Sequence, residues 1–370
     1  MDANAFRNLI TVACFTTFLF CGVAVAQPAV NAEKAASDYQ TYCALCHGDD
    51  RLGYANDSAP SLLSDTLYEL GPMVPSMAIS YGRVGTPMGP YLDEVGGPLT
   101  SADIRNLAVW LTRESGHTPP EQSQHPLTPI TGDIALGRTL YDENCTGCHG
   151  DEGQGHGPDG PGTALNNATM LATSPDIFLK AAIARGRSGT LMQSFGDKLS
   201  DHEINSLVAF LRTRAQGWSA EDMLVSEIPD LDDVVLNPEG EAPEFELKDD
   251  WYVSANDLND ALNAKNKMVL LDTRVPYFWG MAHIEGSLPL PYYSSREEIM
   301  EALPNDGTWI VAYCECPRAA ADSLVTRLRE LGFTNTAVLW EGYAGWAALG
   351  YPIGVGDASA LLEAGGGHEH

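Results

Sequence analysis

The pattern C-x-x-C-H occurs twice in this chain, as Cys43-Ala44-Leu45-Cys46-His47 and as Cys145-Thr146-Gly147-Cys148-His149. With 8 cysteines and 9 histidines in 370 residues, chance supplies roughly 0.004 such patterns. Two thiols and an adjacent imidazole at this spacing suit one covalently held group. Two thioethers hold the vinyl carbons of a haem, and the imidazole binds its iron. The competing reading is a redox dithiol or half of a zinc site.

The flanks repeat with the motifs. Tyr39 and Tyr141 each stand four residues before the first cysteine, and Ala78–Met88 (AISYGRVGTPM) matches Ala182–Met192 (AIARGRSGTLM). Each copy is followed by an amphipathic run with a capping box, Thr100-x-x-Asp103 and Ser200-x-x-Glu203. Ile104, Leu107, Ala108, Leu111 and Ile204, Leu207, Val208, Leu211 follow helical spacing. Tyr39 is expected to pack on Trp110 and Tyr141 on Phe210, closing an N-terminal helix on a C-terminal one.

This pattern resembles the class I cytochrome c family over about 33–116 and 131–217. The resemblance implies two all-α cytochrome c folds and two covalently bound haem c groups. It makes Cys43, Cys46, Cys145 and Cys148 the attachment points. His47 and His149 are the implied proximal ligands, with Met88 and Met192 as their distal partners. Met73, Met77, Met170 and His156 are alternatives; Met88 and Met192 are preferred because they hold the same place in both repeats. His/Met ligation fills both axial positions, which suits electron transfer and not oxygen or substrate chemistry. A proline carbonyl after each motif is expected to orient the histidine, Pro60 in the first copy and Pro161 in the second. Arg83 and Arg187 recur five residues before each methionine. Haem propionates and plain solvent are both open as their partners.

Ahead of the repeats, Leu9–Ala26 is an 18-residue stretch without a charge, preceded by Arg7 and ending in Ala24-Val25-Ala26. It reads as a signal peptide over 1–26 that directs the chain to the periplasm. An uncleaved membrane anchor is the alternative. Cleavage removes Cys14 and Cys21. Residues 117–130 form a Pro-rich spacer. Residues 218–250 hold 12 acids and one base and read as a solvated acidic linker.

Beyond it, strand-like runs Met268–Leu271, Trp309–Tyr313 and Thr336–Trp340 alternate with helical ones, which implies a parallel α/β sheet over 251–354. Residues 355–370 read as a flexible tail. The runs Leu270–Pro291 and Val311–Pro352 resemble the rhodanese-like sulfurtransferase domain. The match rests on Asp272-x-Arg274, His283-Ile284-x-Gly286 and Glu341-Gly342…Trp346. The resemblance places a persulfide-bearing nucleophile at Cys314, after a strand and before a helix. Its loop departs from the family's pattern at Glu315, Pro317 and Ala319, which disfavours thiosulfate, and Arg318 is the nearest source of positive charge. Cys316 is a second thiol in that loop. Trp279, Trp309, Trp340 and Trp346 are expected in the core of this domain.

Acids outnumber bases 50 to 21, for a net charge of −29. That disfavours nucleic acid and anionic membrane surfaces as partners. The sequence therefore leads to an exported dihaem c-type cytochrome with a rhodanese-like domain. Its expected partners are redox proteins, an electron donor and an acceptor such as a respiratory complex or terminal oxidase. The alternative is a sulfurtransferase-type enzyme. In it, Cys314 takes sulfane sulfur from a donor and the haems accept electrons from its oxidation.

Overall fold

The computed structural model describes residues 30–56, 58–83, 85–117, 128–155, 162–215, 217–220, 223, 231, 234–315 and 318–356. Residues 1–29 (which include the stretch read as a signal peptide), His156, Pro161, Cys316, Pro317, most of the Pro-rich spacer and the tail from residue 357 lie outside them.

The first helical unit contains α1 (Ala32–Tyr42), α2 (Ala44–His47), α3 (Met73–Tyr81) and α4 (Ser101–Glu114). Asn31 caps α1 by accepting from the Lys34 amide. The expected capping box opens α4, with Thr100 and Asp103 satisfying each other's end of the first turn. These caps start two helices whose apolar faces meet, and the Tyr39 and Trp110 ring centroids lie 5.8 Å apart.

The second unit repeats the plan with α5 (Ile134–Asn144), α6 (Thr146–His149), α7 (Ala168–Thr173), α8 (Asp176–Arg185) and α9 (Asp201–Arg212). Ser200 and Glu203 form the second capping box. Tyr141 and Phe210 meet at 5.5 Å. Here α5 closes on α9 through Gly137, where a Cβ would stand 2.1 Å from the Ser206 carbonyl oxygen. Only glycine permits that approach.

The two units pack on each other reciprocally. Helix α3 of the first lies against α7 of the second, and α8 of the second against the 3-10 turn Asp65–Tyr68 of the first. Thr66 Oγ1 donates to the Gly186 carbonyl at 3.1 Å, and Ser188 Oγ donates to Asp65 at 3.0 Å. Arg185 pairs with the buried carboxylate of Glu69. Like surfaces facing each other in this way make the seam of a duplicated pair resemble a two-fold interface.

The α/β unit runs β1 (Tyr252–Val253), α10 (Ala255–Asn263), β2 (Met268–Asp272), α11 (Pro276–Met281), β3 (His283–Ile284), β4 (Leu288–Pro289), α12 (Arg296–Ala302), β5 (Trp309–Tyr313), α13 (Ala319–Glu330), β6 (Thr336–Leu339), α14 (Gly342–Ala348) and β7 (Ile353–Gly354). Its main sheet is parallel, in the order β1-β6-β5-β2-β4. Helices cover both faces, so β2 is buried along its whole length, which is why it reads as an unbroken apolar run. Trp346 and Trp279 are in the core as expected. Trp309 and Trp340 are only partly buried and lie edge-on to Phe245 and Tyr252.

One expectation is corrected. The acidic stretch 218–250 is not simply solvated. Leu236 and Met268 exchange backbone hydrogen bonds of 2.8 and 3.2 Å. Val234 is buried, and Leu236, Phe245 and Leu247 pack against the α/β core. Apolar side chains spaced among the acids let residues 234–250 bury one side while their carboxylates face water. Among the described residues, no helix is long and apolar enough to cross a membrane.

Candidate haem-attachment and cysteine sites

Each C-x-x-C-H motif begins where a long helix ends. Cys43 closes α1 and Cys145 closes α5, and a single turn, α2 or α6, carries the remaining residues. The amide of His47 donates to the Cys43 carbonyl at 3.0 Å, and that of His149 to the Cys145 carbonyl at 2.9 Å. Gly48 and Gly150 stop the turn at φ +79°, a conformation that glycine adopts without strain. The hydroxyls of Tyr39 and Tyr141 donate to the Gly48 and Gly150 carbonyls at 2.5 and 2.8 Å. The repeated tyrosine thus ties the incoming helix to the residue after the histidine.

Both imidazoles are buried. His47 Nδ1 lies 2.9 Å from the Pro60 carbonyl oxygen, as expected, and His149 Nδ1 lies 2.7 Å from that of Thr163. The second partner corrects Pro161. Gly162 passes so close to the motif that a Cβ there would meet the Cys148 carbonyl oxygen at 2.4 Å, and this puts the Thr163 carbonyl in reach. A carbonyl only accepts, so Nδ1 carries the proton and Nε2 keeps its lone pair. Burial also lowers both histidine pKa values and favours the neutral, ligating form.

Burial pushes the Cys43 thiol up to about 12 and the Cys145 thiol up to about 11. Thiols held protonated are poor zinc ligands. Among the described residues, no three His, Cys, Asp or Glu side chains converge on one point. Two thiols and an imidazole with a free Nε2 on one turn fit a covalently attached haem.

The methionine loops are duplicated in hydrogen-bonding detail. In Arg83–Met88, the arginine amide donates to the Met88 carbonyl at 2.6 Å. Thr86 Oγ1 donates to the Arg83 carbonyl at 2.7 Å and accepts from the Met88 amide at 3.2 Å. In Arg187–Met192 the corresponding distances are 2.9, 2.7 and 3.1 Å. The shared threonine was visible in the repeat, but its role as a brace was not. The alternatives lack this setting. Met170 is buried in the apolar core, and Met73 and Met77 line a cleft of about 830 Å³ with Ile130 and Arg212.

In the α/β unit, Cys314 is 1% exposed, between the end of β5 and the start of α13. The nearby charges are already committed. Arg274 Nη2 donates to buried Asp272 at 2.6 Å and to the Ala282 carbonyl at 2.6 Å, and Nη1 reaches Glu315 at 3.3 Å. The Tyr313 hydroxyl donates to Asp272 at 2.9 Å. Arg318 does not face the cysteine's loop as a source of charge. Its guanidinium stacks 3.9 Å from the Trp340 ring centroid and donates to the Trp340 carbonyl. His283 is buried and stacked on Trp279 at 4.2 Å, a structural role.

The first helical unit and the α/β unit meet beside Met88. Gly89 packs against Val275 and Phe278. Tyr91 and Tyr292 share a 3.2 Å hydroxyl contact, and the Tyr292 hydroxyl donates to the Tyr42 carbonyl at 2.6 Å.

Residues 132–211 match the family described as cytochrome c oxidase, cbb3-type, subunit III, and residues 254–349 match the rhodanese-like domain. A cbb3-type cytochrome c oxidase subunit CcoP from Azospirillum sp. (strain B510) is 37% identical over 90 residues, 23% of this chain and 30% of that protein. A probable adenylyltransferase/sulfurtransferase MoeZ from Mycobacterium tuberculosis (strain CDC 1551 / Oshkosh) is 31% identical over 97 residues, 26% of this chain and 24% of that protein. The chain thus spans under a third of each of these two relatives. Cytochrome c-554(547) from Halothiobacillus neapolitanus is 30% identical over 88 residues, 22% of this chain and 97% of that protein. The chain belongs to the cytochrome c family, which implies covalently bound haem c, and it continues into a rhodanese-like domain.

Proposed function

We propose that the protein is an exported dihaem c-type cytochrome. One haem is held by Cys43, Cys46, His47 and Met88, the other by Cys145, Cys148, His149 and Met192. The observation that carries this is the duplication of the whole constellation. Both copies have the tyrosine clamp, the carbonyl on Nδ1 and the threonine-braced methionine loop. Bound haem supplies a one-electron carrier there. The chain's own residues keep each Nε2 unprotonated and aim and bury each imidazole. The units correspond to 33–116 and 131–217, ahead of a rhodanese-like domain at 251–354. Redox proteins donate to and accept from it in the periplasm, in the setting of a terminal oxidase as the names of the relatives suggest.

The test is haem stoichiometry by the pyridine haemochrome assay. We expect two haems per chain, and one after Cys43→Ala with Cys46→Ala or after Cys145→Ala with Cys148→Ala. One haem in the unaltered chain would overturn the reading. Separately, Met88→Ala with Met192→Ala abolishes the far-red sulfur-to-iron absorption of the ferric protein; its survival removes those two ligands.

A second reading is favoured by one contact. Gly89, next to Met88, rests on Val275 and Phe278, and the preceding Arg274 joins Glu315 beside Cys314. In this reading Cys314 takes up sulfane sulfur and its oxidation feeds electrons to the first helical unit. Haem reduction by polysulfide or glutathione persulfide, lost in Cys314→Ser, is the expected result. Reduction that persists in Cys314→Ser sinks it.

A further inference from the structure

Arg83 and Arg187 occupy equivalent places in the two helical units, yet each turns toward the opposite unit. Arg83, in the first, directs Nη1 at Thr173 Oγ1 of α7 in the second, at 3.4 Å. Arg187, in the second, sits on the loop that crosses onto the first unit's 61–69 segment. Around it, Gly186 accepts from Thr66, Ser188 bonds Asp65, and a Cβ on Gly189 would meet Ser61 Oγ at 3.0 Å. The charge of Arg187 bears on His47, and the tyrosines that bear on Arg187 are Tyr54 and Tyr68, all of the first unit.

Neither guanidinium forms an ion pair among the described residues. The carboxylates at the seam, Asp65 and Glu69, pair instead with Arg185. Among the described residues Arg83 has only neutral partners, the Gly82 carbonyl and Thr173. Arg187 Nε is buried with no hydrogen-bond partner. Burial and then the neighbouring Arg187 charge push Arg83 down to about 10. Two half-buried like charges that act on each other, with neutral partners only, are costly unless an anion compensates them. Guanidinium forks match carboxylates in geometry and charge.

We propose that Arg83 and Arg187 form one carboxylate-binding site across the seam, each holding a propionate of the haem attached to the opposite unit. This rests on the two-haem reading above. Its consequence is that each unit's arginine sets the potential of the other unit's haem. A guanidinium beside a haem favours the ferrous form, so its removal lowers that haem's midpoint.

The experiment is spectroelectrochemistry of the full-length holoprotein, with Met88→His marking the first haem by moving its wave to lower potential. In that background Arg187→Gln is expected to lower the marked wave by more than the other. Arg83→Gln is expected to do the reverse. Arg187→Lys, which keeps the charge, restores most of the marked wave's position and serves where the glutamine variant loads haem poorly. A larger shift of the unmarked than of the marked wave by Arg187→Gln overturns the crossed arrangement, and no shift of either wave overturns the site. A wave position that follows added phosphate identifies a free anion between the arginines and overturns the propionate assignment. A haemochrome count of one per chain fails the two-haem reading itself, independently of any wave shift, and removes the site with it.

Discussion

Gly89 faces Val275 so closely that a methyl group on its α-carbon would stand 2.2 Å from Val275 Cγ2. The contact joins the loop of the Met88 site to the entry of α11 in the rhodanese-like domain. Gly89→Ala forces this junction apart and is expected to cost about 1–3 kcal/mol, the usual penalty of overpacking. Val275→Ala in the same chain restores most of it. Denaturant midpoints of the single and double variants check this, and an unperturbed Gly89→Ala protein contradicts the packing.

Glu315 neutralises the outward-facing nitrogen of Arg274. Glu315→Gln removes a negative charge beside Cys314 and frees that nitrogen. If Cys314 transfers sulfur, kcat/KM for thiosulfate is expected to rise about fivefold, as for an interaction of roughly 1 kcal/mol. Thiocyanate formation in the presence of cyanide measures it. A fall in the variant means that Glu315 assists the cysteine.

Asp103 links the first turn of α4 to α1. Its carboxylate is held below the ordinary range first by the hydrogen bond from Thr100 and then by Lys34, which it approaches at 3.1 Å. A depressed carboxylate pKa stabilises the fold above the unfolded value near 3.8, and that stability is lost as pH falls through the folded value. Asp103→Asn should lower Tm at neutral pH and make it less sensitive to acid below about pH 4. Parallel acid limbs for the two proteins count against this linkage.

Tyr39→Phe and Tyr141→Phe each delete one hydroxyl donor to a carbonyl that also accepts a backbone N–H, from Arg51 and Gly153 respectively. The acceptor is not orphaned, so each loss is expected near 1 kcal/mol. Equal losses in the two variants are the mark of a duplicated clamp. Urea unfolding of both gives the comparison, and a neutral pair means that ring packing alone holds the turn.

Much of the site was legible because it is local. The C-x-x-C-H turns, the capping boxes at Thr100 and Ser200, and the tyrosine before each motif are set by residues a few positions apart. Repetition likewise marks the two loops that end in Met88 and Met192, which fold alike. The partner of His149 was misplaced by two residues, because the Pro161 expectation came from analogy while the close pass of Gly162 at Cys148 selects Thr163. The 12 acids of 218–250 hide the few apolar side chains by which its described part, 234–250, packs on the α/β core.

Covalent spacing and helical period were therefore enough to specify two C-x-x-C-H turns, their framing helices and the buried parallel strands. Each of those depends on neighbours along the chain, where geometry is fixed by bond lengths and helical rise. The turning of Arg83 and Arg187 across the seam, the commitment of Arg274 to Glu315 and the seating of Gly89 on Val275 join residues 41 to 186 positions apart. Contacts of that kind exist only after separate units have packed. They are decided by shape and by which charges find partners, and neither is written in local spacing.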